Sequence, residues 1–103
     1  MEHFLKQISA LNDETRLKIL RFITINKKVC VCDVENSFKM IQSRVSRHLK
    51  ILKDGGFLRV NRDGRWAYYS ISSNLSEFEQ TILDTLSKLD MDIPKLIHNC
   101  KTH

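Results

Sequence analysis

Long apolar runs are missing from this 103-residue chain, and none of its segments approaches the ~20 apolar residues that a bilayer-spanning helix needs. Met1-Glu2-His3-Phe4-Leu5-Lys6 shows no basic region leading into an apolar stretch, so no secretory leader is visible and the expected compartment is the cytoplasm. Cysteine is scarce and odd in number: Cys30, Cys32 and Cys100 cannot form the even, well-spread framework of a disulfide-stapled secreted domain. The thiols are then buried residues, reactive groups or metal ligands. A Cys-x-x-Cys redox pair within a βαβ pattern is absent, as are a glycine-rich phosphate loop, a Ser/His/Asp set and paired carboxylates, so an enzyme is not expected, and a thiol-redox protein is the weakest alternative. With one proline (Pro94) and no repeat, linker or low-complexity tract, residues 1–103 are expected to form a single domain. Its core spans about residues 2–92, with 93–103 as a tail.

What is present is charge, and it is concentrated. Residues 42–65 hold Arg44, Arg47, Lys50, Lys53, Arg59, Arg62 and Arg65 against only Asp54 and Asp63. The rest of the chain has ten basic and ten acidic side chains, so the whole net charge of +5 sits in one segment. Such a footprint suits phosphates.

The apolar pattern orders the elements. Phe4, Ile8 and Leu11 predict a short amphipathic helix. Asn12 or Asp13 can cap a second, striped by Leu17, Leu20 and Ile23. A short third helix begins near Cys32 or Asp33, with Val34 and Phe38 a turn apart. After the connector Lys39-Met40-Ile41, Ser43 is expected to cap a fourth, which packs through Val45, Leu49 and Leu52 and ends at Gly55-Gly56. The period then alternates: Phe57–Val60 and Arg65–Ile71 flank Asn61-Arg62-Asp63-Gly64, a hairpin signal. Ser76 and Glu79 form a capping box for a last helix striped by Phe78, Ile82, Leu86 and Leu89. The fold class is therefore mainly α with a β-hairpin wing: four helices, a two-stranded wing, and a fifth helix. This is a winged helix-turn-helix. Its surplus apolar surface favours a homodimer.

On the fourth helix, Gln42, Ser43, Arg44, Ser46, Arg47, His48 and Lys50 are expected to face away from the core. Arginine can bond guanine, glutamine can bond adenine, and serine and lysine can hold phosphates in a major groove. Arg62 and Arg65 flank the wing tip, while Trp66 and Tyr68 are expected to pack the wing against the body. The implied partner is double-stranded DNA, not a membrane.

Three runs carry a resemblance: 12–20 (Asn-Asp-Glu-Thr-Arg-Leu-Lys-Ile-Leu), 42–53 (Gln-Ser-Arg-Val-Ser-Arg-His-Leu-Lys-Ile-Leu-Lys) and 62–69 (Arg-Asp-Gly-Arg-Trp-Ala-Tyr-Tyr). Over roughly residues 4–90 the chain resembles the ArsR/SmtB family of metal-sensing repressors. The resemblance implies a homodimer built through the first and last helices on a two-fold symmetric operator, with no organic cofactor.

Val29-Cys30-Val31-Cys32-Asp33-Val34 is the remaining chemical motif. In extended backbone, residues i and i+2 share a side, so the two sulfurs can converge. A helix N-terminus close by is expected to lower the thiol pKa. Thiolates select thiophilic ions. The run also resembles the Cys-Val-Cys-Asp-Leu box of arsenical repressors, which implies trivalent arsenic or antimony (arsenite, antimonite) as inducer on Cys30 and Cys32. Where a third cysteine often follows in that pattern this chain has Glu35, leaving Cys100 as the candidate third ligand. Cadmium or lead, or an oxidant, acting on the same cysteines is the alternative. The family's zinc site on the last helix is not expected: Asp84 is present, but no histidine follows before His98. His3, His98 and His103 are expected in solvent rather than as ligands.

Overall fold

Helices come first in the computed structural model, which describes residues 1–98. Helices α1 (Glu2–Leu11) and α2 (Glu14–Asn26) precede a short strand, β1 (Lys28–Cys30). Then come α3 (Val31–Phe38), α4 (Gln42–Asp54), the wing strands β2 (Leu58–Asp63) and β3 (Trp66–Ile71), and α5 (Glu77–Lys88). The expected winged helix-turn-helix order is present, and one strand is added to it. No helix among the described residues is long and apolar enough to cross a membrane.

Local chemistry sets most of the boundaries. Asp13, not Asn12, caps α2, its carboxylate accepting the Arg16 N–H at 3.0 Å. The expected box at α5 forms reciprocally: Glu79 N–H donates to Ser76 Oγ at 3.1 Å, and Ser76 N–H donates to Glu79 Oε1 at 2.8 Å. Ser43 does not cap α4. Lys39 takes a left-handed conformation (φ 55°) and Met40 N–H closes on Glu35 O, so the turn is spent early and Ile41 becomes the N-cap. That leaves Ser43 in the first turn, exposed. The hairpin is longer than expected, with Asp63 opposite Trp66 and only Gly64-Arg65 between. Gly64 supplies the positive φ (63°) that so tight a loop requires of its first residue.

The sheet runs β1-β3-β2, antiparallel throughout. In it Val29 lies opposite Tyr69, and Cys30 opposite Tyr68. The β-branched valines on either side of Cys30 were the available sign of β1, but three residues are too few for alternation to register.

The core centres on α2, which buries Ile19, Leu20, Phe22 and Ile23. Val34 of α3, Val45, Leu49 and Leu52 of α4, Phe57 and Leu58 before the wing, and Leu83 and Leu86 of α5 complete it. Each such side chain contributes about 1.5–3 kcal/mol by leaving water.

Helix α1 is the short amphipathic helix that the stripe predicts. It buries Gln7 and Ala10, while Phe4 and Ile8 of the apolar stripe stay 49% and 43% exposed. Gln7 is accommodated because its amide donates to Gly55 O (2.9 Å) and to the buried Glu79 carboxylate. The stripe consequently points outward, with the Phe4 ring resting 5.7 Å from that of Phe78 on α5.

Candidate DNA-reading face and thiol site

Gln42, Ser43, Arg44, Arg47 and Lys50 project from α4 into solvent, Ser46 is half-buried beside them, and Arg62 and Arg65 are exposed around the wing tip. Lys50 pairs with Asp54 at 2.8 Å, one turn along. The wing aromatics Trp66 and Tyr68 are half-buried, in keeping with a packing role, and Tyr68 lies under the Lys28 ammonium.

His48 is not on this face. It is only 8% exposed. At ~100° per residue it falls about 60° from Val45, on the inner flank that Leu49 and Leu52 also occupy. Arg16 Nη1 lies 3.4 Å from its Nδ1 and has only protons to give, so Nδ1 accepts and the ring is neutral. Burial holds the His48 pKa below its ordinary value; Asp13 opposes this, and Arg16, Arg44 and Arg47 reinforce it. Arg16 also donates to Ala10 O and Ser9 O, tying the end of α1 to α4 through this histidine.

The two cysteines flank a strand-to-helix junction. Cys30 ends β1 and is the N-cap of α3, while Cys32 lies in the first turn. Asp33 secures the junction by accepting the Cys30 N–H on Oδ2 at 3.0 Å. Cys30 is buried, and this reverses the expected thiol shift. Burial pushes its pKa up; the Asp33 N–H pulls the other way, and the Asp33 carboxylate adds to the rise. Desolvation therefore outweighs the helix terminus. Cys32 is half-buried, and Asn36 Nδ2 donates to its Sγ at 3.4 Å.

Both cysteines open on a cleft of about 440 Å³. Its remaining walls include Gln42 and Ser46 of α4, Arg62, and Arg65, Trp66 and Tyr69 at and beyond the wing turn. The cysteines thus share one concavity with polar side chains of α4 and the wing. Sequence periodicity could not show this, because the cleft is closed by the β1–β3 pairing.

Beyond α5 the chain returns to α3. Ile97 N–H donates to Ser37 Oγ at 2.8 Å, and His98 Nδ1 contacts Asp33 Oδ1. The histidine is exposed, as expected, but it is not free in solvent. Neither Asp33 nor His98 was a sequence candidate; the aspartate inside the cysteine motif was the one local hint. Cys100 and His103 lie outside the described residues.

Residues 13–60 match the family described as bacterial regulatory protein, arsR family. A putative arsenical resistance operon repressor of Halobacterium salinarum is 35% identical over 86 residues, 82% of this chain and 69% of that protein. The chain belongs to the arsR family. Members of this family are DNA-binding transcriptional regulators rather than enzymes. The arsenical resistance operon repressor of Escherichia coli K12 is 34% identical over 72% of this chain and 63% of its own length. A cadmium resistance regulatory protein homolog of Staphylococcus aureus is 36% identical over 64% and 54%. The chain thus spans somewhat more than half the length of these two relatives. Among solved structures, an antimony-specific transcriptional repressor superposes with a TM-score of 0.65 at 26% identity, covering 82% of this chain and 70% of that one. A homodimeric winged helix-turn-helix DNA-binding domain of Mycobacterium bovis superposes at 0.71 and 23% identity, over 84% and 76%, which supports the fold.

Proposed function

We propose that this arsR-family protein is a cytoplasmic repressor that binds double-stranded operator DNA as a homodimer and lets go when trivalent arsenic or antimony binds its cysteines. The observation that carries the reading is the shared cleft: Cys30 and Cys32 line the same concavity as Gln42, Ser46, Arg62 and Arg65. Gln42, Ser43, Arg44, Ser46, Arg47 and Lys50 read or hold the major groove, and Arg62 and Arg65 hold the flanking backbone. His48 serves from inside, positioning α4 against Arg16.

The exposed Phe4, Leu5 and Ile8 on α1, continuous through Phe4 with Phe78 on α5, supply an apolar face for a second copy. A two-fold axis there sets two α4 helices about 34–36 Å apart, one DNA turn.

Cys30 and Cys32 hold the inducer, with Cys100 as the third sulfur that pyramidal arsenic accepts. Drawing the two sulfurs onto one atom pulls on the residue that is both the end of β1 and the N-cap of α3. The pull therefore reaches α4, against which α3 packs, and the wing, through the Cys30–Tyr68 pairing. A full switch requires the inducer to favour the released form by ~5.5 kcal/mol.

The test is fluorescence anisotropy of a labelled fragment upstream of the protein's own gene, titrated with arsenite, antimonite, cadmium and lead. Cys30→Ser and Cys32→Ser should bind like wild type and stay bound under arsenite. Normal release by both single variants refutes the thiol switch, and a wild type that ignores the fragment refutes the repressor. Release by cadmium or lead alone would move the inducer toward that of the staphylococcal relative.

A further inference from the structure

Ile41 is an apolar residue at the threshold of a polar helix. Its side chain is 65% exposed, and apart from Met1 no large apolar residue among those described is more so. The three residues that follow, Gln42, Ser43 and Arg44, are polar and exposed as well. We propose that Ile41 is a base-reading residue, its branched side chain packing on the C5-methyl group of a thymine in the major groove.

Among the described residues, no packing or capping role calls for an isoleucine here. Ile41 is the N-cap of α4, a position that favours serine, threonine, aspartate or asparagine, and isoleucine has no polar atom with which to cap. Its backbone carbonyl accepts the Val45 N–H at 3.1 Å, a service that any residue would supply. Met40, one position earlier, already packs against the core in the manner of a hydrophobic staple. Ile41 lies four residues before the buried Val45, so a helix begun one residue sooner would lay it on the inner stripe. Its backbone is instead extended (φ −75°, ψ 154°), and the side chain stays in water. A poor cap and an exposed apolar side chain are two separate local costs at one residue, and such departures gather where a surface has a use.

The setting selects the occupant. Ile41 is contiguous with the glutamine and arginines assigned to DNA above, and the inference rests on that reading. In a major groove lined with donors and acceptors, the thymine methyl is the apolar feature that a base edge offers. A β-branched side chain is stiff at χ1, so little rotamer freedom is lost on contact. Gln42, next in the chain, can bond N6 and N7 of adenine, so the two residues together favour neighbouring A·T pairs.

The test removes the methyl groups and leaves base pairing intact. The fragment upstream of the protein's own gene is amplified with deoxyuridine triphosphate in place of thymidine triphosphate, and anisotropy titrations compare it with the thymine form. Shielding one methyl group from water changes affinity about fourfold, so a dimer should lose about fifteenfold on the uracil fragment. That ratio should collapse toward one in Ile41→Ser, whereas Ile41→Val, which keeps the branched methyls, should retain most of it. Serine is the better cap, so the urea midpoint of Ile41→Ser should be no lower than that of wild type, which separates lost discrimination from misfolding. A wild type that binds both fragments equally, or an Ile41→Ser that discriminates as wild type does, overturns the proposal and leaves the repressor reading standing. A wild type that binds neither fragment overturns both.

Discussion

Arg47→Ala gives the most direct measure of how this protein holds DNA. Arg44 and Arg47 on α4 and Arg62 and Arg65 at the wing are all exposed, so the proposed dimer brings eight guanidinium groups to the duplex. If each neutralises one phosphate, the logarithm of the binding constant should fall with the logarithm of salt concentration at a slope of about −7. Between 50 and 200 mM salt that is a loss of about twenty-thousandfold. Arg47→Ala removes one contact from each protomer, which should flatten the slope to about −5.4 and reduce the loss to roughly two-thousandfold. Anisotropy titrations of a labelled operator across this salt range read both numbers. If wild type is shallower than about −3, or if Arg47→Ala leaves the slope unchanged, the basic face assigned here is not the one that meets the phosphates.

Ile8→Glu places two like charges across the proposed two-fold axis at a site exposed in the single chain. Sedimentation should show a folded monomer with weakened operator binding, since such juxtaposition costs several kcal/mol. His48 has a folded pKa below 6.5, so the unfolded chain takes up its proton first as acid is added. Its contribution is present above pH 6.5 and drains away as pH falls through the lowered value. Urea midpoints should drop below pH 6.5 in wild type and drop less in His48→Gln, and parallel curves would contradict this. Glu79→Ala removes half of the α5 capping box and the Gln7 contact from a buried position. It should cost about 1–3 kcal/mol in chemical denaturation while leaving the DNA face untouched.

The residues whose roles were legible in the sequence are those governed by near neighbours. Asp13 could be recognised as a cap, and Ser76 with Glu79 as a box, because both bond to backbone within three residues. The outward placement of Arg44 and Arg47 follows from helical period alone. His48 was misplaced because it borders the inner stripe. A residue about 60° off the core axis is buried or exposed according to what packs there, and Arg16 happens to offer it a donor. The apolar stripe of α1 was legible, but the direction it faces was not. Hydropathy could not anticipate that Gln7 would find two acceptors, 48 and 72 residues away.

By itself, then, the chain's order of residues determined the succession of helices and hairpin, the concentration of positive charge between residues 42 and 65, and the pairing of two thiols one residue apart. Each of these is a short-range property of period, cap or spacing. Only the tertiary structure decided that Cys30 would be desolvated rather than activated, that β1 would join it to the wing, and that His98 would come to rest on Asp33. Burial, strand pairing and contacts across 65 residues depend on where whole elements settle against one another, and no local pattern encodes that.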